Sequence, residues 1–152
     1  MTYRVSLLRW AKKSYRQAWE EQELLAASAR EGGPESLVFV EHLPVYTFGR
    51  RVRPEHLLVA AKELNLRGAD VVESDRGGDI TFHGPGQIVG YPILDLKKRG
   101  LGPSDYVRGL EETLIRTLDR FGIVAERSPG RPGVWVGNSK IAALGFRVRG
   151  RV

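Results

Sequence analysis

Hydrophobic residues recur at helical spacing in two stretches of the chain. The first runs from Tyr15 to Ala29 and is rich in Ala, Glu, Gln and Leu, which favour helices. We expect it to stop at Gly32-Gly33-Pro34, because glycine accepts a left-handed cap and proline cannot continue a helix. The second follows Ser104, its predicted N-cap, and ends at Gly122. Its apolar stripe consists of Val107, Leu110, Leu114, Leu118 and Phe121.

Short apolar runs between these helices predict β-strands. Their β-branched and aromatic content favours strands at Ser36 to Glu41, at Val45 to Phe48 and at Val71-Val72. Short helical pieces are expected between Pro54 and Leu66. From Asp79 to Leu96 the alternation of turn and apolar residues predicts a hairpin whose two strands join through His83-Gly84-Pro85-Gly86.

Three further strands are expected after the second helix. They cover Ile123 to Ala125, Val134 to Val136 and Ile141 to Val148, around turns at Pro129-Gly130 and Gly137-Asn138. Strands and helices do not alternate as in βαβ units. The pattern therefore predicts an α+β fold, with a mixed, largely antiparallel sheet and two main helices.

Composition limits the class of protein. A chain of 152 residues, 41% hydrophobic and 28% charged, fits one globular domain. Its apolar runs are too short for a membrane span, and its N-terminus lacks the apolar core of a secretory signal, so we expect a cytoplasmic protein that binds no membrane. The chain contains no cysteine, which excludes disulfides, thiolate metal sites and thiol nucleophiles within these residues.

The net charge of +6 favours an anionic partner. Two arginine clusters stand out, and either could bind an acidic protein or a phosphate, although a solubilising charge excess is the alternative. Neither cluster is interleaved with aromatic residues, so nucleic acid is not expected. The clusters are Arg50, Arg51 and Arg53, and Arg147, Arg149 and Arg151.

The segment from Arg76 to Asp95 has five glycines within a short stretch. Glycine is needed where a backbone adopts positive φ or approaches a ligand closely. The segment lacks the lysine of a P-loop and misses the spacing of a dinucleotide motif by one residue. A hairpin tip needs only one or two glycines, whereas this one adds Arg76, His83 and Gln87, so we interpret the segment as a ligand site.

Histidine and lysine offer the remaining candidate chemistry. The spacing of His42, His56 and His83 suits no zinc site, and we expect neither a metal nor a cofactor. His83 lies among the glycines and is a site candidate. Lys140 follows the turn Gly137-Asn138-Ser139 and precedes an apolar run, where loss of hydration can make a lysine a proton acceptor. An exposed edge lysine is the alternative.

Three blocks of the sequence resemble the lipoyl(octanoyl) transferases, also called lipoate-protein ligase B. They read EHLPVYTFGR at 41–50, RGGDITFHGPGQIVGYPILDL at 76–96 and GVWVGNSKIAALGFRVRG at 133–150. The resemblance implies a single catalytic domain over residues 1–152 with the fold of biotin and lipoate ligases. It also implies octanoyl transfer from acyl carrier protein to a lysine of lipoyl domains of 2-oxoacid dehydrogenase complexes or of the glycine cleavage H protein, through a thioester acyl-enzyme.

The resemblance also implies roles for particular residues. Lys140 matches the family lysine that lowers the pKa of the nucleophile. Independently of the resemblance, acyl transfer needs a group that stabilises an anionic tetrahedral intermediate, and our hypothesis is that Gly77, Gly78 and Gly145 leave backbone N–H groups free to face the substrate. The residues expected to line the acyl-substrate site are Arg76, Gly77, Gly78, Asp79, Ile80, Thr81, Phe82, His83, Ala143, Leu144 and Gly145.

One departure from the family concerns the nucleophile. Family members continue beyond the block that matches Arg147 to Gly150, and their catalytic cysteine lies there. We therefore expect a family member that is truncated before its nucleophile. Two alternatives remain at this point: an ATP-dependent lipoate or biotin ligase of the same fold, and a non-catalytic acyl-binding remnant.

Overall fold

The computed structural model describes residues 3–150 and residue 152. Within this part of the chain it has three α-helices, a short 3-10 turn at Pro54–His56 and nine strands. The helices are α1 (Tyr15–Arg30), α2 (Ala61–Leu66) and α3 (Pro103–Asp119). The strands are β1 (Val5–Arg9), β2 (Glu35–Val40), β3 (Val45–Phe48), β4 (Asp70–Glu73), β5 (Ile80–His83), β6 (Val89–Ile93), β7 (Glu126–Ser128), β8 (Arg131–Val136) and β9 (Ser139–Ala142).

The chain divides into two compact units. The first holds the chain up to Asp95 together with the segment from Arg147, and the second runs from Leu96 to Phe146. In the first unit, one sheet has the order β1-β2-β6 and another the order β4-β3-β5. The second unit combines α3 with the sheet β7-β8-β9. The expectation of a single catalytic domain stays a prediction.

Strand pairing confirms the predicted fold class. β1 pairs with β2, and β3 with β4, in parallel, whereas the other four pairs are antiparallel. The described strands thus form a mixed, largely antiparallel set, with α1 and α3 as the two main helices. Among the described residues, no helix combines the length and the apolar character that crossing a bilayer requires.

Helix α1 packs against both sheets of the first unit. It begins at Ser14, whose Oγ accepts a hydrogen bond from the N–H of Gln17 over 3.3 Å, and it ends before Gly32, which has φ +93°. Its first turns place Tyr15 and Trp19 against Val45 and Val72 of β3 and β4. Its last turns place Leu25, Ala26 and Ala29 against Val38 of β2 and Ile93 of β6.

An ion-pair cluster joins the segment from Arg147 to the rest of the first unit. The Arg147 guanidinium pairs with both Glu23 of α1 and Asp75, which follows β4. Arg149 contacts the same two carboxylates, with Nη2 at 2.9 Å from the Asp75 Oδ2 and Nη1 at 3.6 Å from the Glu23 Oε2. These two arginines thus have acidic partners within their own unit.

The hairpin predicted between Asp79 and Leu96 is wrong. Both of its strands exist, but β5 pairs with β3 and β6 pairs with β2, in different sheets. Periodicity detects a strand but not its partner, and here each strand pairs with an earlier segment of the chain. The turn at Gly84 to Gly86 therefore links two sheets. The sequence analysis also missed β1, which pairs with β2.

Three expectations about the second unit are wrong in their boundaries. Helix α3 begins at Pro103 after Gly102, because the fixed φ of proline suits the first helical position, so Ser104 lies in the first turn and is not the N-cap. The last residue of the predicted stripe, Phe121, is 76% exposed. The strand expected at Ile123 to Ala125 forms three residues later, as β7, where Glu126 aligns with Trp135 of β8.

The strand expected from Ile141 to Val148 ends at Ala142. Its partner β8 explains this end, since Ala142 pairs with Val134 and the preceding residues of β8 are Pro132, which has no N–H, and Gly133, which has φ +119°. The ladder therefore has no regular partner beyond Ala142. Residues 143–148 are irregular.

Core packing in the first unit generates a stability prediction. Val38 is fully buried on β2, so Val38→Ala is expected to lower the free energy of unfolding by about 2 kcal/mol through lost burial and a residual cavity. The control Leu58→Ala removes more atoms but from a side chain that is 93% exposed, and it should change stability by less than about 0.5 kcal/mol. Urea denaturation measures both. Equal losses would contradict the assigned core.

Candidate functional site

The guanidinium of Arg76 organises the glycine-rich segment. Its Nε donates to the Thr47 Oγ1 at 3.0 Å, and its Nη2 donates to the Thr47 carbonyl at 2.6 Å and to the Asp79 carbonyl at 2.7 Å. Its Nη1 donates to the Gly77 carbonyl at 2.9 Å. Because the guanidinium is engaged by its own protein, Arg76 shapes the predicted acyl-substrate segment.

Two loops interlock around this guanidinium. The N–H groups of Gly49, Arg50 and Arg51 donate to the carbonyls of Asp79, Arg76 and Gly78 over 3.0 to 3.1 Å. The backbones approach so closely that a Cβ added to Gly49 would lie 2.4 Å from the Gly78 oxygen. Gly78 itself has φ +93°. These glycines are therefore required by the backbone geometry of the segment.

The Asp79 carboxylate fastens the same two loops from its exposed side. Its Oδ1 accepts from the Arg53 N–H over 2.9 Å, and its Oδ2 pairs with the His56 Nδ1. The Arg53 N–H is the largest cause that lowers the pKa of Asp79, and the contact with His56 adds to it. Asp79 therefore keeps its charge and acts here as a brace between loops.

Four aromatic rings meet where the two sheets of the first unit adjoin. His83, at the end of β5, stacks on Tyr15 of α1 with the ring centroids 6.1 Å apart and the planes at 8°. His42 lies 5.7 Å from His83 and 5.8 Å from Tyr91 of β6. This aromatic cluster (Tyr15, His42, His83 and Tyr91) brings the predicted site residue His83 together with Tyr91 of the same segment and with two residues, Tyr15 and His42, that the sequence analysis did not assign to the site.

Hydrogen bonds define the protonation of the two imidazoles. The His42 Nδ1 lies 3.2 Å from the Lys13 carbonyl, which can only accept, so this nitrogen carries the proton and Nε2 accepts from the Tyr91 hydroxyl at 2.7 Å. The His83 Nδ1 lies 3.3 Å from the Gln87 Oε1 and donates to it. His83 therefore presents Nε2 as its basic nitrogen.

Burial keeps the aromatic cluster neutral. Desolvation, followed by the neighbouring His42 ring, lowers the pKa of His83 to about 4. Desolvation also lowers the pKa of His42 and raises the pKa values of the Tyr15 and Tyr91 hydroxyls. At neutral pH the cluster thus offers an uncharged hydrogen-bonding surface beside the charged Arg76.

The remaining predicted residues of the glycine-rich segment lie on β5. Ile80 and Thr81 pair with Phe48 and Thr47 of β3, and the Thr81 carbonyl accepts a long hydrogen bond of 3.4 Å from the Thr47 Oγ1. The Phe82 ring contacts Tyr46, with the centroids 5.0 Å apart, and is 45% exposed. A Cβ on Gly84 would lie 2.6 Å from this ring, so any larger residue there would require the exposed ring to move.

Lys140 lies in the second unit, on strand β9. It is exposed, and its Nζ lies 4.9 Å from the centroid of the Trp135 ring, to which its residue is paired across the ladder. The Arg131 guanidinium lies 4.2 Å from the same centroid. The electron-rich face of an indole attracts both cations. The ring thereby holds the lysine amine at a defined place on an exposed strand.

A buried carboxylate fixes the backbone beneath Lys140. Glu111 of α3 is 7% exposed, and its Oε1 accepts from the Gly133 N–H over 3.1 Å while its Oε2 accepts from the Arg127 Nε over 3.2 Å. A Cβ on Gly133 would lie 2.6 Å from the Ala142 carbonyl oxygen and 3.3 Å from the Cδ and Cε of Lys140. Glycine at this position therefore allows β8 to approach the strand that carries Lys140.

The last predicted site residues, Ala143, Leu144 and Gly145, follow β9 in the irregular stretch of the second unit. Ala143 and Gly145 are exposed, and Leu144 is partly buried. Ile141, in the apolar run that follows Lys140, is 46% exposed. The assignment of these residues to an acyl site stays a prediction. No group of three or more potential metal ligands occurs among the residues described by the structure.

The comparison with protein families matches residues 14–152 to the lipoyl protein ligase A/B catalytic domain. The chain belongs to this family. Curated relatives include octanoyltransferases from Chloroflexus aurantiacus, 46% identical over 138 residues, from Roseiflexus sp. strain RS-1, 49% identical, and from Xanthomonas axonopodis pv. citri, 44% identical. These alignments cover 88 to 91% of this chain and 57 to 62% of the relatives. The family member described here thus spans about three fifths of their length.

Solved structures confirm the expected fold. Protein Ta0514 of T. acidophilum with bound lipoic acid gives a TM-score of 0.62 at 17% identity, covering 90% of this chain and 60% of that one. Lipoate-protein ligase A bound with ATP gives 0.59 at 17% identity, covering 93% and 59%. P. falciparum LipL1 in complex with lipoate gives 0.63 at 12% identity, covering 90% and 42%. This lipoyl ligase family domain therefore has the lipoate-protein ligase fold.

The role of Arg76 generates a prediction for this domain. Arg76→Lys keeps the charge but cannot reproduce the planar fork that holds Thr47 and Asp79, so it should lower the free energy of unfolding by about 2 kcal/mol or more. Arg50→Lys is the matched control, since that side chain is exposed, and it should cost less than about 0.5 kcal/mol. Urea denaturation compares them, and similar losses would contradict the bracing role.

The neutral state of His83 generates a pH prediction. Its pKa falls from 6.5 when exposed to about 4 in the fold, so between these values the unfolded chain binds more protons than the folded chain. Stability should therefore be fully present above about pH 6.5 and be lost progressively as the pH falls to about 4. The substitution His83→Asn should make this loss shallower in urea midpoints measured across that window. Parallel profiles would contradict the assignment, as would an NMR titration of His83 near pH 6.5.

Proposed function

We propose that the whole protein transfers an octanoyl group from octanoyl-acyl carrier protein to a lysine of a lipoyl-accepting domain, as part of protein lipoylation and lipoate biosynthesis in the cytoplasm. The observation that carries this proposal is the 44 to 49% identity to octanoyltransferases across about nine tenths of the chain. The acceptors would be lipoyl domains of 2-oxoacid dehydrogenase complexes and the glycine cleavage H protein.

The reaction would proceed through two acyl transfers. A thiolate attacks the carbonyl of the octanoyl thioester, the carrier thiol departs, and a new thioester forms on the enzyme. The acceptor lysine then attacks this thioester, loses a proton to a base, and forms an amide while the thiolate is released. By the family resemblance the thiolate belongs to a cysteine beyond the block that matches Arg147 to Gly150, and the 152 residues contain none.

The described residues support particular parts of this chemistry. Arg76 holds the backbone of the glycine-rich segment in one conformation, which is what a preorganised acyl site requires. The Nε2 of the neutral His83 ring is an acceptor that suits a proton or an N–H of the reacting groups. Lys140 supplies an exposed cation on a strand held by Trp135 and Gly133, and we assign to it the lowering of the nucleophile's pKa.

A ligase of the same fold is the second candidate function. It is favoured by the likeness to a lipoate-protein ligase A structure that holds ATP. The two functions differ in the activated donor, since a transferase uses a preformed thioester and a ligase uses a free acid with ATP. The identities to octanoyltransferases are well above the 17% identity to that ligase, so the transferase is preferred.

The decisive experiment supplies the missing thiol from outside. The chain is mixed with octanoyl-acyl carrier protein, a lipoyl domain and a small free thiol, and the intact mass of the lipoyl domain is measured over time. We expect chain-dependent octanoylation that requires the thiol and is reduced at least about tenfold by Lys140→Ala. Lys62→Ala, at an exposed position on α2, is the matched control and should leave the rate unchanged.

Other results separate the alternatives. Octanoylation that requires free octanoate and ATP would replace the transferase with the ligase. Binding of octanoyl-carrier protein without any acceptor modification, with or without thiol, would leave an acyl-binding remnant and contradict transfer by these residues.

A further inference from the structure

Three arginines at the edge of the Arg76-braced loops have no carboxylate partner. Arg50, Arg51 and Arg53 are exposed, and among residues 3–150 and 152 no carboxylate lies within ion-pair distance of their guanidinium groups. Other arginines are paired with acidic groups, namely Arg67, Arg116, Arg127, Arg147 and Arg149. Among the described residues, the three guanidinium groups of this loop therefore form no ion pair and stay available to an anionic partner.

The fold holds the backbones of these arginines at fixed positions beside the glycine-rich segment. The N–H groups of Arg50 and Arg51 each donate over 3.0 Å, to the carbonyls of Arg76 and Gly78, and the Arg53 N–H donates over 2.9 Å to the Asp79 carboxylate. The Asp79 carboxylate binds this N–H and His56, and it makes no ion pair with the three guanidinium groups. The nearest carboxylate in the sequence beyond Arg53 is the exposed Glu55.

The chemistry of the proposed donor matches this surface. An acyl carrier protein has an acidic surface, and it delivers its acyl group on an arm that is joined through a phosphodiester. It therefore brings two sources of negative charge to the acyl site, the protein surface and the phosphate. Guanidinium groups bind phosphate oxygens through paired hydrogen bonds and also steer acidic proteins. The acceptor lysine of a lipoyl domain carries no phosphate. The donor is therefore the partner that matches the arginine surface both in its acidic protein and in its phosphate.

We propose that Arg50, Arg51 and Arg53 form the docking surface for the acyl carrier protein and contact the phosphodiester of its arm. The proposal rests on the proposed function for the identity of the donor. It assigns a role to an arginine cluster that the transfer chemistry itself leaves unused. The interlocked loops couple this surface to the acyl site, because the residues that carry the three arginines are hydrogen-bonded to Arg76, Gly78 and Asp79.

The test measures carrier binding by the chain as it is. Isothermal titration with octanoyl-carrier protein at low and at physiological salt compares the wild type with the triple variant Arg50→Gln, Arg51→Gln, Arg53→Gln. We expect affinity to fall on the order of tenfold or more at low salt, and the salt dependence to become shallower. Apo-carrier protein, which lacks the arm and its phosphate, should lose less affinity from the same substitutions.

The control variant removes the same number of charges elsewhere in the first unit. Arg4, Arg9 and Arg16 are exposed and are not part of the docking surface, and their replacement by glutamine should leave carrier affinity within about twofold, since charges that make no contact are screened. Urea midpoints confirm that both triple variants remain folded.

Three outcomes would overturn the docking surface. The first is unchanged affinity in the Arg50, Arg51 and Arg53 variant, and the second is an equal loss of affinity in the control variant. The third is that the Arg50, Arg51 and Arg53 variant loses as much affinity for apo-carrier protein and for a lipoyl domain, which would show attraction to any acidic protein. Failure of the wild type to bind octanoyl-carrier protein at all would instead remove the donor, and with it the proposed function. Binding of octanoyl-carrier protein that does not depend on these arginines would overturn the docking surface alone.

Discussion

The guanidinium of Arg76 imposes the main physical constraint on the first unit. A partly buried cation must replace the water it loses, and Arg76 does so with main-chain carbonyls and one hydroxyl instead of a carboxylate. Burial lowers the pKa of Arg76 below its ordinary value, yet the group stays charged because an arginine pKa is so high. The carbonyls that face it must therefore point inward from strand β3 and from the loop before β5.

This constraint explains the glycines on both sides. Gly49 allows the two backbones to approach within a distance that a Cβ would prevent, and Gly78 adopts φ +93°. The segment TFGR at the end of β3 and the segment RGGD before β5 are thus two halves of one structure, although 26 residues separate Gly49 from Arg76 in the printed sequence. The exposed arginines and the aromatic cluster beside this structure differ in their chemistry. The arginines are charged and hydrated, whereas the aromatic cluster is neutral and desolvated.

Sequence reasoning recovered the elements that local pattern determines. Helix α1, strands β2, β3 and β4 and the turns at 129–130 and 137–138 follow from periodicity and from the conformational demands of glycine and proline. It failed where the sheet depends on which strands pair, as for β5 and β6. Their apolar alternation is the same whether they pair with each other or with earlier strands. It also failed where a positive φ interrupts a ladder, as at Gly133 beside β9.

The candidate site was predictable to a similar extent. The glycine-rich segment, His83 and Lys140 carry local signals, whereas Thr47, Tyr91 and Glu111 matter through contacts between elements that are distant in sequence. The one available signal for Thr47 was its place in the block EHLPVYTFGR that resembles the family.

The segment that begins at Arg147 returns to the first unit, and this order of the chain has a consequence during synthesis. The ion pairs with Glu23 and Asp75 cannot form until residues 96–146 have all left the ribosome, so the first unit completes its folding only after the second has been made.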